Sequence, residues 1–133
     1  MTRLPPNVPA NIFDKSANIV DATNYPDAQE LILVADVLIA DCSPMIFDFM
    51  LCDKPIFRLV KDFDSFTRAH DFKPPYFDLP GKINRSDAEL VADIKNFDDA
   101  AHSQKVNAFM SKIEPFDKGR ASEEVVAMIK NVI

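Results

Sequence analysis

Glycine is nearly missing from this sequence, with two residues among 133 against ten prolines. Backbone loops that wrap phosphate in the GxGxxG or GxxxxGKS/T manner need several glycines close together, so both are excluded. Cysteine is as scarce. Cys42 and Cys52 stand ten residues apart with no companion motif. That spacing fits neither a zinc site nor a disulfide framework, and reads as reduced, partly buried thiols in a cytosolic protein. Basic charge is also short: 15 Lys and Arg against 21 Asp and Glu leave a net charge of −6. A phosphate backbone needs a basic face, so nucleic acid is set aside as a partner. An anionic membrane surface would repel the chain as a whole. No apolar run approaches the ~20 residues of a membrane span, and no signal-peptide pattern opens the chain.

What is present suits one soluble α/β domain over residues 1–133, with 47% hydrophobic and 27% charged residues. Pro5, Pro6 and Pro9 make the opening an extended loop. Asn18–Thr23 (NIVDAT) reads as a short buried strand, and Asp27–Ala35 as a helix entered through Pro26. Val37–Ala40 (VLIA) has the wholly apolar character of a central parallel strand. Ser43-Pro44 then starts a helix over Met45–Leu51, and Ile56–Val60 (IFRLV) forms the next strand. Lys61–Pro80 is rich in aromatics and prolines and reads as an ordered loop with one short helix. Ser86 and Glu89 form a capping box for a helix to Ile94. Two amphipathic helices follow, Asp98–Ile113 and Ala121–Val132. Strand alternating with helix predicts a three-layer, Rossmann-like domain with a mostly parallel sheet.

In such a sheet, ligands sit beyond the carboxyl ends of the strands. The turn Asp41-Cys42-Ser43 lies there, with the N–H groups of Met45 and Ile46 opening the next helix. A phosphate held by those groups and the Ser43 hydroxyl is one reading. A serine that only caps its helix is the other. Asp48 stands inside the apolar run Met45–Leu51. It is a functional carboxylate, a surface residue, or half of an ion pair with Lys54 or Arg58. His70, beside Arg68 and Asp71, is a solvated loop histidine or a ligand contact, and His102 reads as an exposed helix residue. No Ser/His/Asp triad and no metal-ligand spacing emerges.

Asp41-Cys42-Ser43-Pro44-Met45-Ile46-Phe47-Asp48-Phe49, followed by Lys54-Pro55-Ile56, resembles the DYSSxxFDF…KPxxF signature of CDP-glycerol glycerophosphotransferases. Tyr25-Pro26-Asp27 with Glu30-Leu31 and Ala35–Ile39 is similar to the family's YPDxxELLxxADvLI run. Leu79-Pro80-Gly81 and Gly119–Glu123 match its LPG and GkASE elements, in order, so the resemblance spans nearly the whole chain. It implies the C-terminal, nucleotide-donor half of a GT-B fold, in enzymes that build teichoic-acid or capsular polymers. By that resemblance Ser43 meets the donor phosphate and Asp48 the glycerol or its phosphate. Arg68 falls near the arginine of an RG element; Asp41 and Arg3 join the donor-binding set as matched motif positions.

Departures qualify the implied activity. Where the family has R-x-HP, this chain has Arg3-Leu4-Pro5-Pro6, so proline occupies the position of the catalytic histidine. Cys42 replaces the motif tyrosine and Pro44 its second serine; Glu124 stands where an arginine follows ASE. The family's N-terminal acceptor domain has no counterpart here. The resemblance thus implies CDP-glycerol as donor, no cofactor and no metal. It also implies a lipid-linked polymer acceptor reached through the missing domain, which a separate polypeptide could carry. The place would be cytoplasmic and peripheral, at the inner face of the cell membrane. Two alternatives stay open: a non-catalytic nucleotide-binding or docking module, and a fragment of another GT-B glycosyltransferase.

Overall fold

The computed structural model describes residues 1–4, 8, 18–69, 78–113 and 119–132. By internal contact the chain divides into two units, Met1–Ala35 and Asp36–Ile133.

In the first unit, Thr2 and Asp21 form a single parallel bridge. Thr2 N–H donates to the Val20 carbonyl and Ala22 N–H to the Thr2 carbonyl, both at 2.8 Å. The expected strand over Asn18–Thr23 reduces to that one bridge, with Ile19 and Val20 exposed. The cause is local turn chemistry. The Asp21 carboxylate accepts the Thr23 N–H at 2.9 Å, bending the chain away from an extended path. Hydrogen bonds from the Thr23 side chain and backbone hold the Asp21 carboxyl below its ordinary pKa. Helix α1 (Ala28–Val34) follows, and its cap is Asp27, whose side chain accepts the Gln29 N–H at 2.8 Å. Pro26 therefore precedes the cap. Ile32 is buried, whereas Leu33 and Val34 are exposed.

The second unit holds strands β1 (Leu38–Ala40), β2 (Ile56–Leu59) and β3 (Ile83–Asn84). Among them run helices α2 (Met45–Met50), α3 (Phe63–Ala69), α4 (Asp87–Lys95), α5 (Asp99–Ile113) and α6 (Ala121–Lys130). The strands lie in the order β1-β2-β3 and both pairings are parallel, Leu38 opposite Ile56 and Arg58 opposite Ile83. This is the expected α/β layer with an open parallel sheet. Helix α2 packs on β1 and β2, and α4 on β2 and β3.

Central β2 is buried on both faces, which explains its mostly apolar sequence. Arg58 is the exception, a guanidinium side chain only 1% exposed in mid-strand. Around it the core takes Ile46, Phe49 and Met50 from α2, Leu90 from α4, and Val106 and Phe109 from α5. Phe57 meets Phe97 with ring centroids 5.3 Å apart, and Phe47 meets Phe109 at 6.2 Å.

Two local devices fix the element ends. Ser86 Oγ accepts the Glu89 N–H at 3.2 Å, and the Glu89 carboxylate accepts the Arg85 N–H at 2.7 Å. The expected capping box is thus present, with its return bond one residue earlier than the cap itself. Gly81 turns the chain into β3 at φ +89°, and a Cβ there would lie 2.7 Å from the Ile56 carbonyl oxygen. Both the dihedral and the close approach demand glycine.

His102 differs from its sequence reading. It is buried, 6% exposed, with Nε2 3.1 Å from the Lys54 carbonyl oxygen and its ring 5.4 Å from Phe97. It shares the inward face of α5 with Val106 and Phe109, four and seven residues on.

Candidate donor-binding site

Three parallel strands end on one edge of the sheet, which collects the segments that follow them. Asp41-Cys42-Ser43 follows β1, Lys61-Asp62 follows β2, and Arg85-Ser86 follows β3. This is where an open α/β sheet takes its ligands.

Pro44 is the N-cap of α2, so Ser43, which the Ser-Pro pair predicts as the cap, stands one residue before it. Its Oγ accepts the Met45 N–H at 3.3 Å, and its carbonyl accepts the Ile46 N–H at 3.3 Å. Phe47 N–H goes to the Pro44 carbonyl at 3.0 Å. The backbone donors that an anion would use are therefore engaged within the first turn. What Ser43 keeps is its own hydroxyl proton, since a hydroxyl accepts and donates at once.

Asp48 sits on the exposed side of α2, while Ile46, Phe49 and Met50 fill the buried side. The carboxylate therefore carries no burial cost. No ion pair of Asp48 is present among the described residues. Asp41 is exposed, Cys42 and Ser43 are half-buried, and Arg68 is exposed in the last turn of α3. Arg3 belongs to the first unit and is exposed there. Pro5 and His70 lie outside the described residues.

Two charge pairs at this edge were not singled out from the sequence. Lys61 Nζ lies 2.7 Å from Asp87 Oδ2, and Arg85 Nη1 lies 3.2 Å from Asp64 Oδ2. The Arg85 guanidinium also stands 5.0 Å over the Phe63 ring. Together they tie the segment after β2 to the segment after β3. Each pair is more than half exposed, so each contributes ~0–1 kcal/mol. The legible signal was a basic residue close after β2 and directly after β3. Beneath them, Asn84 is fully buried and its Nδ2 donates to Asp93 Oδ2 at 3.0 Å and to the Lys82 carbonyl at 3.3 Å. Among the described residues no group of three His, Cys, Asp or Glu is placed to hold a metal ion. No helix among them is long and apolar enough to cross a membrane.

The family model for CDP-glycerol:poly(glycerophosphate) glycerophosphotransferase matches residues 2–131. The chain belongs to this family. It is 32% identical over 114 residues to the teichoic acid poly(glycerol phosphate) polymerase of Staphylococcus epidermidis, covering 83% of this chain and 16% of that protein. It is 32% identical over 122 residues to the teichoic acid poly(ribitol-phosphate) polymerase of Bacillus spizizenii, covering 90% of this chain and 19% of that protein. Among solved structures, the wall teichoic acid polymerase TagF matches with a TM-score of 0.70 at 30% identity, over 84% of this chain and 28% of that one. A TagF variant soaked with CDPG matches with a TM-score of 0.75 at 31% identity, over 91% and 31%. The chain thus spans less than a third of these glycerophosphotransferase-family polymerases. Its sheet corresponds to part of a GT-B-like enzyme.

Proposed function

We propose that this chain supplies the donor-binding part of a transferase moving glycerol phosphate from CDP-glycerol to a teichoic-acid or related polymer. The observation that carries this reading is the family match over residues 2–131, which includes the complete strand–turn–helix segment from Leu38 to Met50. In the reaction, an acceptor hydroxyl attacks the β-phosphorus of CDP-glycerol, the pyrophosphate P–O bond breaks, and CMP leaves. Catalysis of this kind rests on positioning and charge stabilisation.

On this reading the Ser43 hydroxyl donates to a phosphate oxygen while its lone pair stays on the Met45 N–H. The exposed Asp48 carboxylate accepts from a glycerol hydroxyl, and Arg68 and Asp41 complete the donor-binding set of the second unit. Proline at position 5 has no group to take the acceptor's proton. The chain therefore holds the donor, and the base comes from the rest of the assembled enzyme. A lipid-linked acceptor would bring that assembly to the inner face of the membrane. No cofactor or metal enters the scheme.

Equilibrium dialysis of the purified chain against CMP and UMP tests the nucleotide assignment. Preferential retention of CMP supports it. Equal retention, or retention of UMP, assigns the chain to a different donor.

A further inference from the structure

Arg85 follows β3 directly, and its guanidinium stands 5.0 Å over the Phe63 ring with Nη1 3.2 Å from Asp64 Oδ2. Phe63 and Asp64 open α3, the helix after β2, so residues from two neighbouring strand ends meet at one spot. These contacts orient the guanidinium without using it up. A guanidinium carries five N–H donors and a carboxylate about four acceptor sites, and one bond occupies one of each. The two side chains are 54% and 68% exposed, so the rest of that capacity is open to solvent.

The charge of this corner decides which class of ligand suits it. Asp62, Asp64, Asp87 and Glu89 outnumber Lys61 and Arg85, and Lys61 is engaged by Asp87. Such a corner favours a neutral group with an amine donor over a phosphate. Adjacent strands lie ~4.8 Å apart, so the ends of β1 and β3 stand ~10 Å from each other. That step matches the reach of an extended nucleoside diphosphate from its base to its pyrophosphate.

We infer that Arg85 and Asp64, held against Phe63, form the base subsite of the donor and select cytosine. This inference rests on the donor-binding reading, which puts the donor phosphate at Ser43. Cytosine presents an exocyclic amine beside two acceptors, N3 and O2. The Asp64 carboxylate accepts from the amine while the Arg85 guanidinium donates to N3 and O2. Uracil carries a carbonyl oxygen in place of the amine and an N–H at N3. It therefore sets oxygen against the carboxylate and N–H against the guanidinium.

Calorimetric titration with CMP and with UMP tests this in the wild type, Asp64→Asn and Arg85→Ala, with circular dichroism checking each fold. The wild type should bind CMP roughly tenfold or more tightly than UMP. Asp64→Asn presents an amide, which can accept from the cytosine amine or donate to uracil O4, and should erase most of that preference. Arg85→Ala should weaken CMP by roughly tenfold. An ion pair that only braces the fold would leave the ratio of the two nucleotides unmoved. A CMP preference unchanged in Asp64→Asn, or a CMP affinity unchanged in Arg85→Ala, overturns the base subsite and leaves the donor-binding reading standing. A wild type that binds neither nucleotide, or both equally, overturns the two together.

Discussion

Nε2 of His102 lies 3.1 Å from the carbonyl oxygen of Lys54, joining the first turn of α5 to the residue just before Pro55 and β2. This contact crosses 48 residues of sequence and is sheltered by the Phe97 ring. His102→Ala removes the hydrogen bond and opens a void beside Phe97. A loss of roughly 2–3 kcal/mol is expected. Urea denaturation of the two proteins measures it, and an unchanged midpoint would show that the contact contributes nothing.

The two glycines make an internal comparison. Gly81 and Gly119 both have positive φ, +89° and +76°, but among the described residues only Gly81 has a neighbour within 4 Å of an added Cβ. Gly119→Ala should cost about 1 kcal/mol, from backbone strain alone. Gly81→Ala carries the same strain plus a collision with the Ile56 carbonyl, and should cost at least about twice as much. Thermal unfolding of both variants ranks them.

Ser43→Ala removes the acceptor for the Met45 N–H. The expected loss is about 1 kcal/mol of stability. Ser43→Asp keeps an acceptor at the cap but no donor for phosphate. Its stability should stay near that of the wild type while donor binding falls. Chemical denaturation and a binding titration on the same samples separate the two roles.

Much of this arrangement is legible in the sequence because the local signals agree with one another. Ser43-Pro44 announces α2, Ser86 with Glu89 announces α4, and the apolar run from Ile56 marks a strand covered on both faces. Other parts are set by contacts distant in sequence. Strand β3 is two residues long, too short for any periodicity, and exists because Asn84 pairs beside Leu59. His102 looks exposed among Ala100, Ala101 and Ser103, yet its spacing to Val106 and Phe109 already placed it on the buried face. The stretch from Asn18 failed as a strand because Asp21 bends the chain at once. At the candidate site, the position of Ser43 and Asp48 followed from pattern and resemblance. The cross-bracing by Lys61 and Arg85 did not, since their carboxylate partners lie 26 and 21 residues away.

The Tyr25 hydroxyl donates to Glu30 Oε2, and this bond raises the phenol above its ordinary pKa of 10.0. A raised pKa means that the contribution is present below pH 10 and lost as pH climbs through the folded value. Ultraviolet titration should show Tyr25 ionising above pH 10 in a Tyr76→Phe background, which leaves one tyrosine. Glu30→Gln should move that ionisation back toward 10. Both groups are exposed, so global stability should change little.

The most direct test of the donor-binding account is calorimetric titration of the folded chain with CDP-glycerol, for the wild type and Asp48→Ala. The account predicts saturable binding by the wild type and an affinity lower by roughly tenfold or more in the variant, the loss of about one charge-assisted hydrogen bond. Absence of binding by the wild-type chain, or equal affinity in the two proteins, would contradict it.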